Sequence, residues 1–207
     1  MTATDVSAGF FARHLSASPV MGIFRGQDPS ATVELCRRAW DFGVELVEIP
    51  VQSDAALPSL RAAVEAARDH GKQVGAGTVT TVRRLRAVQE IGAAFTVAPG
   101  LHREVVDASA DAGLPHLPGV ATATDIATAQ AAGHTWLKAF PAQQLGADWI
   151  TAQLGPFPDV RFVATGGISA DNAAEFLSAG CAAVAVGSAL ADPSALPRLR
   201  EAVSPMR

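Results

Sequence analysis

Lysine is rare in this chain, and one lysine lies where it could do covalent chemistry. Lys72 and Lys138 are the two lysines among 16 basic residues, and Lys138 lies in an apolar run, Thr-Trp-Leu-Lys-Ala-Phe-Pro. Burial favours the neutral form of an amine, which is the form that attacks a ketone. We therefore predict that Lys138 is a nucleophile. The alternative is a structural lysine that extends to solvent or pairs with a carboxylate.

Glu48 is the acidic residue best placed to assist Lys138. It lies near the end of the apolar run Val-Glu-Leu-Val-Glu-Ile-Pro. A carboxylate that faces an amine across a site can carry protons to and from the reacting atoms. The alternative, a structural ion pair with Arg25 or Lys138, remains open at this stage.

Two glycine-containing turns predict an anion site. Thr165-Gly166-Gly167 follows one apolar run and Gly187-Ser188 follows the next. Turns of this kind expose backbone N–H groups, and helix N-termini beside them attract anions such as phosphate. Glycine is also common in any tight turn, so the prediction depends on both turns occurring together.

The elements that would position these residues repeat regularly. Eight short apolar runs have starts about 20 to 29 residues apart, which leaves room for one strand, one helix and two loops in each unit. The predicted strands are Pro19–Arg25, Val44–Pro50, Gln73–Thr78, Ala94–Pro99, Leu114–Pro118, Thr135–Pro141, Val160–Thr165 and Ala182–Gly187.

Glycines punctuate the repeat at a constant phase, just before most of the strands. We expect them to end helices in the left-handed conformation: Gly43, Gly71, Gly92, Gly113, Gly133 and Gly180. Strands that are apolar throughout indicate a parallel sheet that is buried on both faces. We predict one α/β domain over residues 1–207, a (β/α)8 TIM barrel with a short helix before the first strand. The competing fold, a doubly wound open sheet, lacks its glycine-rich fingerprint after the first strand.

Composition narrows the possible partners and the compartment. The net charge of −4 argues against nucleic acid as a partner. No apolar run is long enough to cross a bilayer, and the first residues do not resemble a secretory signal, so we expect no membrane partner and a cytoplasmic protein. Cys36 and Cys181 show no metal spacing and are expected to be buried thiols. The arginine cluster Arg83, Arg84 and Arg86 is expected to form a solvated helix face.

Several motifs together resemble one family of enzymes, and the similarity runs from about Pro19 to Ala189. The family comprises the short class I pyruvate aldolases that cleave 2-dehydro-3-deoxy-6-phosphogluconate or its phosphogalactonate epimer. The motifs are Val47-Glu48-Ile49-Pro50, Val74-Gly75-Ala76-Gly77-Thr78, Pro99-Gly100, Pro118-Gly119-Val120-Ala121-Thr122, Leu137-Lys138-Ala139-Phe140-Pro141 and Ala164-Thr165-Gly166-Gly167-Ile168.

This resemblance implies a reaction and a role for each matched residue. Lys138 would form an imine with the C2 ketone, and Glu48 would shuttle protons. The products would be pyruvate and glyceraldehyde 3-phosphate, without a metal or organic cofactor. The resemblance further suggests a homotrimer and a place in the Entner–Doudoroff pathway of carbohydrate metabolism. The matched binding residues are Thr78, Pro99 and Phe140 around the pyruvyl group, and Gly166, Gly167 and Ser188, beside Gly187, at the phosphate.

The chain departs from the phosphogluconate enzymes where they usually carry a threonine and a carboxylate-binding arginine. Pro50 and Gln52 stand there instead. Arg25 and the Glu-Ile-Pro stretch resemble the phosphogalactonate branch. Thr165, which is expected to contact the substrate, resembles the gluconate branch. The preference for one substrate epimer over the other therefore stays open. Two other functions also remain: an aldolase for 4-hydroxy-2-oxoglutarate, and a non-catalytic barrel that binds sugar phosphates.

Overall fold

A parallel sheet forms the centre of the computed structural model, which describes residues 3–16 and 18–204. Its strand order is β5-β4-β3-β2-β1-β9-β8-β7-β6. The strands are β1 (Val20–Ile23), β2 (Leu46–Pro50), β3 (Gln73–Gly77), β4 (Thr96–Val97), β5 (His116–Leu117), β6 (Gly119–Val120), β7 (Trp136–Ala139), β8 (Arg161–Thr165) and β9 (Ala183–Val186).

The sheet closes on itself at Pro118. β5 and β6, which end the strand order, are successive pieces of one segment that this proline separates. Proline has no N–H to donate to the ladder, so the pairing is interrupted there. Counted as one strand, the two pieces complete eight positions around a closed (β/α)8 barrel, and this confirms the predicted fold class. The predicted fifth strand ended too early, because pairing resumes beyond Pro118.

Helices connect the strands on the outside of the barrel. The helices are α1 (Ala3–Leu15), α2 (Pro29–Phe42), α3 (Leu57–His70), α4 (Val82–Ile91), α5 (Arg103–Asp111), α6 (Ala123–Ala131), α7 (Ala142–Leu145), α8 (Ala147–Leu154), α9 (Ala173–Ser178), α10 (Ser188–Ala191) and α11 (Leu196–Val203), with a 3-10 turn over Asp54–Ala56. All six predicted closing glycines have positive φ, from 61° to 108°. Within the described residues, no helix is both long and apolar enough to span a membrane.

The barrel has an apolar interior that α1 closes at its amino-terminal end. Phe11 and Leu15 of α1 are fully buried and pack with interior residues that include Leu46, Phe95 and Trp136. The other large cluster lies between the strands and the surrounding helices. A solid layer of side chains therefore supports whatever lies at the carboxyl ends of the strands.

Candidate active site

Lys138 and Glu48 meet across the interior of the barrel. β7 and β2, which carry them, lie four strands apart in either direction around the closed sheet and are therefore diametrically opposite. The Lys138 Nζ lies 3.7 Å from the Glu48 Oε1, and the side chains are 6% and 1% exposed. One water or substrate oxygen could contact both groups at ordinary hydrogen-bond distances. The structure thus brings together the predicted nucleophile and the predicted proton carrier.

Strand alternation explains why both side chains point inward. Leu46 and Trp136 precede Glu48 and Lys138 by two residues on the same strands, and both belong to the interior apolar cluster. Side chains two apart share a face of a strand. The pair therefore lies directly above an apolar layer, in surroundings that strengthen electrostatic interactions.

One carboxylate oxygen of Glu48 remains available. Glu48 Oε2 is buried and has no hydrogen-bond partner among the described residues. Buried polar atoms are nearly always satisfied, so an unpartnered one inside a pocket indicates where a ligand or water binds. This oxygen can accept or return a proton without first breaking a contact with the protein.

Gly77 makes room for this carboxylate, and we did not single it out from the sequence. A β-carbon built on Gly77 would overlap the Glu48 side chain. The signal that could have revealed it is the pair Gly75 and Gly77, which share one face of β3. Two glycines on the inner face of a strand indicate close approach by a neighbouring group.

Phe140 forms one wall of the site. Its ring centroid lies 5.1 Å from Lys138 Nζ. A β-carbon on Gly166 would lie 3.1 Å from this ring, so the glycine allows the loop after β8 to pack against it. Thr165 ends β8, is 3% exposed, and directs Oγ1 to the Val163 carbonyl at 3.4 Å.

Pro99 approaches the site by its backbone. A β-carbon on Gly119 would overlap the Pro99 carbonyl, and Gly119 pairs in register with Lys138. Pro99 therefore lies beside the strand position that neighbours the lysine. Phe140 and Pro99 thus lie near the amine and its strand, and Thr165 ends the neighbouring strand; their roles in binding substrate stay predictions.

Thr78 has an uncommon backbone conformation. Its φ is 59°, and it is the one non-glycine residue with positive φ in the described part of the chain. A β-branched residue in this region is a genuine outlier. Thr78 directly follows Gly77, so the outlier lies next to the residue that accommodates Glu48.

The two turns that were predicted to bind an anion lie on neighbouring loops. Gly166 and Gly167 have φ of 96° and 74° after β8. Gly187 follows β9, and Ser188 is exposed at the start of α10. A depression of about 170 Å³ next to Ser188 does not include the predicted glycines in its lining, and its charged lining residues are Asp171, Asp192 and Arg198. The two predicted turns are therefore adjacent at the carboxyl ends of β8 and β9.

Arg25 and Gln52 lie on exposed loops that follow β1 and β2. Arg25 stands beyond the end of β1 at Ile23, although its strand was predicted to include it. No contact between its side chain and the amine is seen among the described residues. Its role in binding substrate therefore stays a prediction.

The expected solvated arginine face is wrong for one of its members. Arg84 is only partly exposed, and its guanidinium donates to the carbonyls of Thr78 and Gln52 at 3.2 and 3.1 Å. Arg86 is exposed, as expected, and Arg83 forms an exposed pair with Asp54. Helical spacing alone could not show that this turn of α4 reaches two loops at the mouth of the barrel.

Neither cysteine offers a competing thiolate, and the described residues form no metal site of the usual kind. Burial raises the pKa of both thiols, Cys36 and Cys181, to about 12, so neither supplies a thiolate at neutral pH. No group of three or more His, Cys, Asp or Glu side chains in the described part of the chain is arranged to hold a metal ion.

Comparison with known proteins now places the chain. The family model described as KDPG and KHG aldolase matches residues 12–200. The chain belongs to this aldolase family. The assignment supports carbon–carbon lyase activity, and it agrees with a site built around one buried lysine.

Individual relatives cover most of the chain. The 2-dehydro-3-deoxy-6-phosphogalactonate aldolase of Escherichia coli is 35% identical over 83% of this chain and 84% of that protein. The 2-dehydro-3-deoxy-phosphogluconate aldolase of Pseudoalteromonas atlantica is 34% identical over 87% and 84%. A KDPG aldolase structure from Legionella pneumophila, with pyruvate captured as a covalent carbinolamine, matches with a TM-score of 0.80 at 28% identity. It covers 99% of this chain and 98% of that one.

Proposed function

We propose that this protein is a class I aldolase that cleaves a 6-phosphorylated 2-dehydro-3-deoxy sugar acid through an imine on Lys138. The observation that carries the proposal is the amine held 3.7 Å from a buried carboxylate with a free oxygen. The Legionella pneumophila relative, in which pyruvate is captured as a carbinolamine, supports the same chemistry.

The reaction begins when the neutral amine of Lys138 adds to the C2 ketone and gives a carbinolamine. Glu48 donates a proton to the departing hydroxyl, so that water leaves and a protonated imine remains. A base, assigned to Glu48 directly or through a water, then removes the proton of the C4 hydroxyl. The C3–C4 bond breaks, its electron pair moves into the imine, and glyceraldehyde 3-phosphate leaves.

The cycle closes with protonation and hydrolysis. The enamine that remains takes a proton at C3 and becomes the imine of pyruvate. Water adds to this imine and releases pyruvate, which regenerates the free amine. Each proton that leaves one step returns in another, so a single carboxylate with an unpartnered oxygen is sufficient for the cycle.

We assign the pyruvyl carboxylate to Thr78, and the wall around the pyruvyl group to Pro99 and Phe140. Arg25, on the loop after β1, supplies the positive charge that Gln52, on the loop after β2, cannot supply. Thr165 is next to the lysine strand and is assigned to the C4 hydroxyl, whose configuration distinguishes the two epimers. Exposed amides and a hydroxyl at the ends of β8 and β9 bind the phosphate, from Gly166, Gly167, Gly187 and Ser188.

Borohydride trapping tests the imine. The protein is incubated with pyruvate and borohydride and then mapped by mass spectrometry. We expect a reduced pyruvyl group on Lys138 and none on Lys72, the other lysine of the chain. Lys72 is an internal control because it lies at the far end of β3 and pairs with Glu45 at 2.6 Å.

Two variants complete this test. Lys138→Ala abolishes turnover, and Glu48→Gln slows it by about 10²–10⁴ if the carboxylate is the proton carrier. Equal labelling of both lysines, or turnover by folded Lys138→Ala protein, would contradict the imine mechanism. Melting temperatures show whether each variant is folded.

The substrate is identified by parallel assays of pyruvate release. The two phosphorylated epimers are compared with their non-phosphorylated forms and with 4-hydroxy-2-oxoglutarate. A kcat/KM that falls when the phosphate is removed supports the assigned anion site. Binding of sugar phosphates without release of pyruvate from any acid would favour a non-catalytic barrel instead.

We further propose a homotrimer that acts in the cytoplasm. A designed cage made by fusing symmetric oligomeric domains contains a chain of this fold at 32% identity, and the buried free thiols fit a reducing compartment. Light scattering coupled to size exclusion measures the oligomeric state.

A further inference from the structure

Arg84 links two loops at the mouth of the barrel. Its Nη1 donates to the Thr78 carbonyl at 3.2 Å and to the Thr80 hydroxyl at 3.3 Å. Its Nη2 donates to the Gln52 carbonyl at 3.1 Å. One guanidinium thus holds the segment after β3 against the segment after β2. The guanidinium is planar and carries several N–H donors at fixed angles, so it can bind two carbonyls that lie on different segments.

The segment after β3 is the one under conformational strain. A threonine at φ 59° is strained, and such a conformation persists when its surroundings determine it. The flanking backbone is tied on both sides, since Val51 N–H donates to the Gly77 carbonyl and Val79 N–H donates to the Val97 carbonyl. Arg84 supplies the hydrogen bond to the Thr78 carbonyl itself.

The charge of Arg84 has no acidic partner in the described part of the chain. Its turn of α4 also carries Arg83, which pairs with Asp54, but no carboxylate lies within 4.0 Å of the Arg84 guanidinium. Its Nε is buried and unpartnered there. A charged group held in this way costs desolvation energy that an exposed surface arginine avoids. Such a residue is expected to have a use other than stability.

We propose that Arg84 is a positioning residue, which holds Thr78 in the conformation that receives the substrate carboxylate. The inference rests on the proposed function, in which Thr78 binds that carboxylate. Arg84 acts through the backbone of Thr78 and does not touch the reacting atoms. Its loss therefore weakens the binding of pyruvate and leaves the chemistry at Lys138 intact.

The test is the dependence of borohydride trapping on pyruvate concentration. For Arg84→Met we expect the half-saturating pyruvate concentration to rise about tenfold, while the maximal labelling rate stays within twofold of the unmodified protein. Arg84→Lys should fall between the two, because an ammonium can reach one carbonyl but not both. The lysine variant also serves if Arg84→Met does not fold, which melting temperatures show.

Two matched controls lie on the same helix. Arg86→Met removes an exposed arginine, and Arg83→Met removes the neighbouring exposed pair with Asp54. Both should trap pyruvate like the unmodified protein. The inference is overturned if either control shows the same rise, or if Arg84→Met leaves the half-saturating concentration unchanged. It is likewise overturned if only the maximal rate falls.

Failure of the proposed function has a different signature. In that case the unmodified protein takes up no pyruvyl group on Lys138, and both proposals fall together. If the unmodified protein is labelled and the Arg84 variants bind pyruvate equally well, the proposed function stands and only the role of Arg84 is rejected.

Discussion

Replacing Gly77 by alanine should separate the stability of the barrel from the placement of the Glu48 carboxylate, the proposed proton carrier. The added methyl group would overlap the Glu48 side chain, which is 1% exposed and would have to move to make room. Gly75→Ala is a matched control on the same strand face. Gly75 pairs in register with Glu48, but the three atoms nearest to an added methyl there all belong to the ring of fully buried Phe95, at 2.6 Å.

The two variants should have similar stability and different activity. Overpacking a core costs about 1–3 kcal/mol, which for a chain of this size lowers the melting temperature by roughly 2–12 °C. Displacement of a catalytic group by about 1 Å costs on the order of 10²-fold in rate, or about 2.7 kcal/mol in the barrier. Gly77→Ala should lose both stability and rate, whereas Gly75→Ala should lose stability alone.

The assay measures melting temperature and kcat for pyruvate release on both proteins. A Gly77→Ala protein with kcat within threefold of the Gly75→Ala protein would refute the reasoning. That result would mean that Glu48 can move without consequence, or that it does not carry the proton. Restoring activity by combining Gly77→Ala with Glu48→Asp, whose side chain is shorter by one methylene, would strengthen the interpretation.

Two further predictions concern strain and burial. Thr78→Gly removes the left-handed strain together with the hydroxyl, so we expect unchanged stability or a gain of up to about 1 kcal/mol, with weaker pyruvate trapping. Chemical denaturation and trapping measure the two effects. Burial lowers the pKa of His116 to about 3 from an ordinary 6.5, so the unfolded chain takes up the proton first, and stability falls by up to about 1.4 kcal/mol per pH unit as pH drops below 6.5. His116→Asn should flatten this slope in urea titrations between pH 6 and 4, and an unchanged slope would contradict it.

Much of the fold could be predicted from periodicity because each unit has its own local signals. Asp28 before Pro29 marks a helix start, and in the structure its carboxylate accepts the Ala31 N–H at 3.0 Å. Glycines such as Gly43 end helices with positive φ. The interruption of the strand at Pro118 was harder to predict. A proline at the end of an apolar run predicts a strand end, and nothing in the sequence indicates that strand pairing resumes after it.

The site was predictable to the extent that it follows strand phase. Lys138 and Glu48 occupy inward-facing positions near the carboxyl ends of their strands, where a parallel barrel places its active site. Their distance and the unpartnered oxygen of Glu48 depend on three-dimensional packing. The roles of Gly77 and Arg84 were missed because each acts on a residue of another segment; the glycine pair on β3 was a signal for Gly77, whereas Arg84 has no unusual pattern of its own.

Because α1 closes the amino-terminal end of the barrel, the order in which substrate and products bind and leave is constrained. With Phe11 and Leu15 sealing the amino-terminal end, the route for substrate and products leads through the loops at the other end. The proposed imine on Lys138 would tether the pyruvyl fragment at depth and leave the aldehyde fragment nearer the mouth. Under the proposed mechanism the aldehyde departs first and its vacated space admits the water that frees pyruvate. In the direction of synthesis pyruvate must load first, so it competes with the sugar acid for the empty enzyme, and the aldehyde does not.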